Sequence, residues 1–265
     1  MAVEYASDYN LASQTGTLSK GTIRTGNSTA RLSGDYDAKG DSTVLHMKLT
    51  GSQLPVKDIQ GLLPAMGVVL PAGSSLQSGT ADANLGLDGA VDKLVTSGTL
   101  NISNAKLAGF GLASKLAAIS TLAGLKPSAE TIIQTLSSNL RIAPDGIRAD
   151  NLNLVVPEIG TLTGNGAISA NNALNFRMLA KLANGGGMLG QVAALNPLRQ
   201  AGSGGIPFLI QGTTSNPVFL PDVKGVLGQA LSTPQAGQEG GLGGLLGGLL
   251  GGAKKKPQPQ QQPPQ

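Results

Sequence analysis

The stretch that decides the fold is Ile132-Ile-Gln-Thr-Leu-Ser-Ser-Asn-Leu-Arg-Ile142, then Ala143-Pro-Asp-Gly146, then Ile147-Arg-Ala-Asp-Asn-Leu-Asn-Leu-Val-Val156. Its first segment puts Ile132, Leu136, Leu140 and Ile142 on one side and Ile133, Thr135, Ser137, Asn139 and Arg141 on the other. That period of two is the mark of a half-buried strand. Pro-Asp-Gly is a turn with a mechanism, because Pro presets φ and Gly accepts φ > 0. The second segment gathers Leu152, Leu154 and Val156 on one face.

Two further runs follow, 160–169 and 174–182, separated by Ala170-Asn-Asn-Ala173. In the second, Leu174, Phe176, Met178, Ala180 and Leu182 alternate with Asn175, Arg177, Leu179 and Lys181. Four successive runs joined by short turns predict an antiparallel meander. Upstream, residues 42–50 repeat the pattern, with Leu45, Met47 and Leu49 on one face and His46 and Lys48 on the other. Helix is a minority. Helical spacing predicts helices over 56–66, entered through Pro55, and over 112–122, with a third at 220–231 and a weak turn at 191–195. The glycine-rich stretch 184–205 reads as a long loop.

The expected fold is therefore mainly β: a long, twisted antiparallel sheet curled into a groove or half-pipe, with two or three short helices. Residues 1–231 form its domain. Residues 232–265, a Leu-Gly repeat, three lysines and a Pro/Gln ending, are a low-complexity tail expected to be disordered.

Composition narrows the function. Of 265 residues, 13% are charged, about half the usual share for a soluble domain. There are no Cys, no Trp and one His, which excludes thiol chemistry, disulfides and Cys/His metal centres. Part of the net charge of +4 sits in Lys254, Lys255 and Lys256, so the body is nearly neutral and nucleic acid is not an expected partner. Four Phe and three Tyr could not furnish platforms for stacking bases. No apolar stretch reaches the roughly 18–20 residues that span a bilayer, and the first residues lack the basic and apolar regions of a secretory signal.

No catalytic constellation emerges. His46 falls on the polar face of its strand. Asp35 with Asp37, and Asp145 with Asp150, sit where turn geometry favours Asp. Gly160-Thr-Leu-Thr-Gly-Asn-Gly166 lacks the Lys-Ser/Thr and the following helix of a phosphate loop, and reads as glycines in a closely packed strand. No enzyme, cofactor or metal site is expected.

What remains is a one-sided sheet with few helices to cover it. Either part of its apolar face stays open as a groove suited to acyl chains, or helices and curl close an ordinary core. The candidate groove residues are Leu45, Met47, Leu49, Leu136, Leu140, Ile142, Leu152, Leu154, Val156, Phe176, Met178 and Leu182. The run 240–252, rich in Leu and followed by lysines, offers weak affinity for an anionic membrane surface.

Several segments resemble the C-terminal region of bacterial AsmA family proteins. They are 61–75 (Gly-Leu-Leu-Pro-Ala-Met-Gly-Val-Val-Leu-Pro-Ala-Gly-Ser-Ser), 94–112, 137–152 with its Ala-Pro-Asp-Gly turn, 160–166, and 206–222 (Ile-Pro-Phe-Leu-Ile-Gln-Gly-Thr-Thr-Ser-Asn-Pro-Val-Phe-Leu-Pro-Asp). The resemblance covers about residues 5–231. It implies an envelope protein of the periplasm, associated with the inner membrane in the full-length family, whose β-groove resembles that of bridge-like lipid transfer proteins. It also implies phospholipid acyl chains as cargo moving between inner and outer membranes, with the membrane surfaces and an envelope protein as further partners. On this resemblance the chain corresponds to the C-terminal part, without the family's membrane anchor. The competing expectation is a structural or assembly factor that docks on an outer-membrane protein through its sheet edges.

Overall fold

The computed structural model describes residues 2–61, 63–64, 69–117, 126–183 and 205–222. They form one antiparallel sheet of twelve strands in simple sequence order, β1 to β12, not closed into a barrel. The strands are β1 (Ala2–Asn10), β2 (Thr15–Thr25), β3 (Ser28–Asp37), β4 (Val44–Pro55), β5 (Ser75–Ala90), β6 (Val95–Ala108), β7 (Thr131–Ala143), β8 (Gly146–Val156), β9 (Gly160–Ser169), β10 (Leu174–Leu182), β11 (Ile206–Gly212) and β12 (Pro217–Pro221).

The expected meander is present, and its strand boundaries fall within a residue of those read from the pattern. Ala143 and Gly146 close the Pro-Asp turn as opposed residues, with Gly146 at φ 130°, a conformation that a Cβ would strain. Two placements differ from expectation. Ile132 is 40% exposed, because Thr131 and Ile133 turn inward at the start of β7 and the inward face changes parity before Leu136. Leu220 is not helical but belongs to β12, where it lies opposite Leu209. The remainder of that expected helix, the turn at 191–195 and the tail 232–265 lie outside the described residues.

Curl is built in at regular places. β2, β4, β6 and β8 each carry an extra residue, at Ser19-Lys20, Ser52-Gln53, Asn104-Ala105 and Asp150-Asn151, opposite a single residue of a neighbouring strand (β3, β5, β5 and β9), and β5 carries one more at Gln77 opposite β6. Gln53, Asn104 and Asn151 adopt left-handed φ of 52°, 51° and 52° at three of these bulges. Two bulges are closed by a side chain of the facing strand. Asp82 Oδ1 accepts the Gln53 N–H (2.9 Å) and Asn165 Oδ1 accepts the Asn151 N–H (2.8 Å). Bulges bend a strand and increase its twist, so repeated bulges from β2 to β8 bend the sheet over that stretch.

The strand connections are sorted by rim. At one rim the turns are short (11–14, 38–43, 91–94, 144–145, 170–173, 213–216), with a single 3-10 turn at Val91–Lys93. The other rim carries the long connections 56–74, 109–130 and 183–205, and with them the two α-helices among the described residues, α1 (Val56–Gln60) and α2 (Leu112–Ala117). Each is shorter than its expected span, whose remainder falls largely outside the described residues. Pro55, its φ fixed near −55°, leads into α1. Asp58 Oδ2 accepts the Asn27 N–H (2.9 Å) and the Ser28 hydroxyl (3.1 Å), and Gln60 Oε1 accepts the Leu76 N–H (2.8 Å). These bonds strap α1 to the β2–β3 turn and to the start of β5. α2 is held by Thr131, whose Oγ1 accepts the Leu112 N–H (2.9 Å) and donates to the Phe110 carbonyl (2.6 Å).

Candidate functional site: an apolar trough

Residues directly opposite one another in adjacent strands share a face. Following that rule across the sheet gives one unbroken rib, a residue from each strand: Tyr5, Gly21, Leu32, Leu49, Leu85, Gly98, Leu140, Ala149, Gly166, Phe176, Ile210 and Phe219. No residue in it is charged. At a strand spacing of about 4.8 Å the rib runs roughly 50 Å along the sheet. A parallel rib links Met47, Leu87, Thr96, Ile142, Ile147, Ile168 and Leu174. A third links Ile102, Leu136, Leu154, Leu162, Ala180 and Ile206.

All twelve residues singled out from the sequence lie on this face. Leu45 stands opposite Tyr36 and Gly89, Leu152 opposite Gly164, Met178 opposite Gly164 and Phe208, and Val156 and Leu182 each opposite Gly160. The bulge at Asn151 is what makes this possible in β8. It changes parity so that Ile147 and Ala149 before it, and Leu152, Leu154 and Val156 after it, all face inward. Glycines in the ribs make room for their neighbours: a Cβ on Gly166 would collide with the Phe176 ring.

The opposite face is polar. Its matching rib reads Glu4, Thr22, Arg31, Thr50, Asn84, Thr99, Asn139 and Asp150. His46 lies on this side, exposed, with Nδ1 2.9 Å from Asp88 Oδ1, a surface hydrogen bond. Asp35 sits inside β3 rather than at a turn and accepts the Thr17 hydroxyl (2.7 Å), while Asp37 at the strand end accepts the Lys39 N–H (2.9 Å). Asp145 does lie in a turn, and Asp150 lies in the β8 bulge. A shallow cavity of about 880 Å³ opens at the short-turn rim between Tyr9, Tyr36, Asp35 and His46. Among the described residues no group of three or more His, Asp and Glu is placed to hold a metal ion.

The trough is not uniform. Of the twelve candidates only Val156 and Met178 are buried; the other ten keep part of their surface in solvent. Those two belong to a cluster in which α2 lays Leu112, Ala113 and Leu116 onto Val156, Ile159, Leu162, Met178, Ala180 and Phe208. α2 thus fills the trough over β8–β11, at the long-connection rim. Sequence reasoning missed the middle of the trough: Leu85 and Leu87 in β5, Leu100 and Ile102 in β6. The signal was present, since Ala81, Ala83, Leu85 and Leu87 alternate with Asp82, Asn84, Gly86 and Asp88.

Compared with known proteins, the chain matches no family model, no curated protein and no solved structure. No helix among the described residues is long and apolar enough to cross a membrane, which leaves β-strand membrane proteins unaddressed.

Proposed function

We propose that this chain is a non-enzymatic protein of the bacterial cell envelope, of the AsmA kind. Its trough shields phospholipid acyl chains in passage between the inner and outer membranes. The observation that carries the reading is the uncharged rib through all twelve strands, from Tyr5 to Phe219, most of whose large side chains remain partly in solvent. A half-covered apolar surface of that length gains free energy when acyl chains cover it, at about 0.8 kcal/mol per buried CH₂. Head groups remain in water beyond the rim. Similar sites repeated along the sheet leave no deep well, so chains slide rather than lodge. The residues described supply no nucleophile and base pair, and the mechanism asks for none.

The test uses the whole chain, expressed in a periplasm, purified without detergent and analysed by denaturing mass spectrometry. Near-stoichiometric phospholipid is expected. Replacing Leu49 and Leu140 together by Asn, both half-buried and clear of the α2 cluster, should remove most of it while the circular dichroism spectrum persists. The control pair Thr50→Asn and Asn139→Ser, on the polar face, should keep its lipid. A folded wild-type chain that is lipid-free, and takes none from liposomes, overturns the proposal.

A further inference from the structure

The polar face is sparing with charge, yet at one place it sets two like charges side by side. Arg141 in β7 stands directly opposite Arg148 in β8. Like charges in such a cross-strand position repel, so the pair weakens the ladder until an anion joins it. Arg141 shares one bond with Asp145 in the adjoining turn, Nη1 to Oδ1 at 3.2 Å. Arg148 is exposed and has no hydrogen-bond or ion-pair partner among the described residues. Asp150 lies in the next rib, opposite Asn139, and no ion pair joins it to either arginine.

The rib that holds the pair runs Ser97, Arg141, Arg148, Ala167 and Asn175, one residue from each of β6 to β10. Ala167 is its low point. Arg148 and Asn175 stand on either side of that methyl group, two strand spacings or about 9.6 Å apart. A cavity of about 280 Å³ opens there, lined by Arg141, Arg148, Ala167 and Asn175 and, at the short-turn rim, by Asp145 and Ser169. Two guanidiniums against one carboxylate leave its wall with an excess of positive charge. The Ser169 hydroxyl is engaged in its own turn, with Asn171 Oδ1 and the Ala173 carbonyl, whereas the Asn175 amide has no partner among the described residues.

We propose that this hollow binds a phosphate group, carried by the free ion or by a lipid head group. A guanidinium presents its N–H donors as a planar fork that fits two phosphate oxygens at once, and such charge-assisted bonds are about twice as strong as neutral ones. Arg148 supplies the fork, Arg141 a second cation beside it, and Asn175 an amide N–H from the far wall. A phosphate has oxygens enough for all three, whereas a carboxylate has only two to divide among them. The bound charge also turns the mutual repulsion of the two arginines into a shared attraction. Asp145 competes for Arg141 alone and leaves Arg148 to the ligand. The site lies on the face away from the trough and does not depend on what fills it.

The test has two arms. In the first, the whole chain is titrated with sodium phosphate against sodium chloride of equal ionic strength, so that screening is matched. Binding of the free ion should raise the midpoint of thermal unfolding by about 2–4 °C near saturation. In the second, flotation compares phosphatidylcholine vesicles with an equimolar mixture of phosphatidylcholine and phosphatidic acid. This arm uses the chain with Lys254, Lys255 and Lys256 replaced by Gln, so that the tail adds no pull of its own. Arg148→Gln should keep the circular dichroism spectrum and lose about tenfold in affinity in whichever arm responds. Ala167→Val raises the floor and leaves every charge in place, and it should weaken binding about threefold. A phosphate response lost in Arg148→Gln assigns the site to the free ion. Capture by the phosphatidic acid vesicles alone, likewise lost, assigns it to a lipid head group, and either result supports the proposal. A chain that responds in neither arm overturns it, and so does an Arg148→Gln or Ala167→Val chain that binds as the parent does.

Discussion

The two halves of the trough share a strand pattern and differ in how much water they exclude. Of the largest fully buried side chains, Phe208, Leu116, Ile159, Leu162 and Val156 all belong to α2 and the region it covers, and Val56, the first residue of α1, alone comes from the earlier half. In β2–β7 many of the equivalent positions, such as Leu32, Leu49 and Leu140, are only half-buried, although their face is as apolar; the buried ones, Leu54, Ala81, Leu85 and Ala105, cluster in β4–β6. The difference is one helix of six residues, which carries Leu112, Ala113 and Leu116 inward. A sheet face of this kind becomes a core where a helix reaches it and stays half in solvent where none does. Burial is thus distributed unevenly along the length of one sheet.

The sharpest break in that comparison is Leu116→Asp. An unpaired carboxylate at a fully buried site costs on the order of 4–5 kcal/mol, enough to unfold the α2-covered half, and it should appear as loss of the cooperative urea transition. Next in size is a matched pair. Phe208→Ala, from the covered half, should lower unfolding free energy by about 3–5 kcal/mol, whereas Leu49→Ala, from the open half, should lower it by about 1–2 kcal/mol. Equal losses in urea titrations would mean that the open half is as tightly packed as the covered one. A third substitution sharpens the account of how α2 is held. Thr131→Val removes one acceptor for the Leu112 N–H and one donor to the Phe110 carbonyl, and about 1–3 kcal/mol should be lost by the same measurement.

The strands that could be read from the sequence were those whose inward residues are large. β7 to β10 alternate Leu, Ile, Phe and Met with polar residues, and their turns carry Pro-Asp-Gly and Asn-Asn. β2, β3, β5 and β6 alternate too, but much of their inward face is Ala, Gly and Thr, whose contrast with Ser, Asn and Asp is weak. Ile132 misled because period-two reasoning assumes an unbroken parity, and the strand changes face before Leu136. The candidate face was legible in outline, whereas its division into open and covered parts was not. Nothing in Val156 or Met178 differs in kind from Leu154 or Phe176; what separates them is the distant position of α2, which only the folded chain supplies.

Pro217 and Pro221 have a consequence that a polymer chemist would state in terms of functionality. A monomer with two reactive ends grows into a chain of indefinite length, and a flat sheet with two live edges is such a monomer. Two pyrrolidine rings remove one end. An edge so capped offers no growing point, so strand-by-strand extension into a fibre cannot proceed from the β12 side.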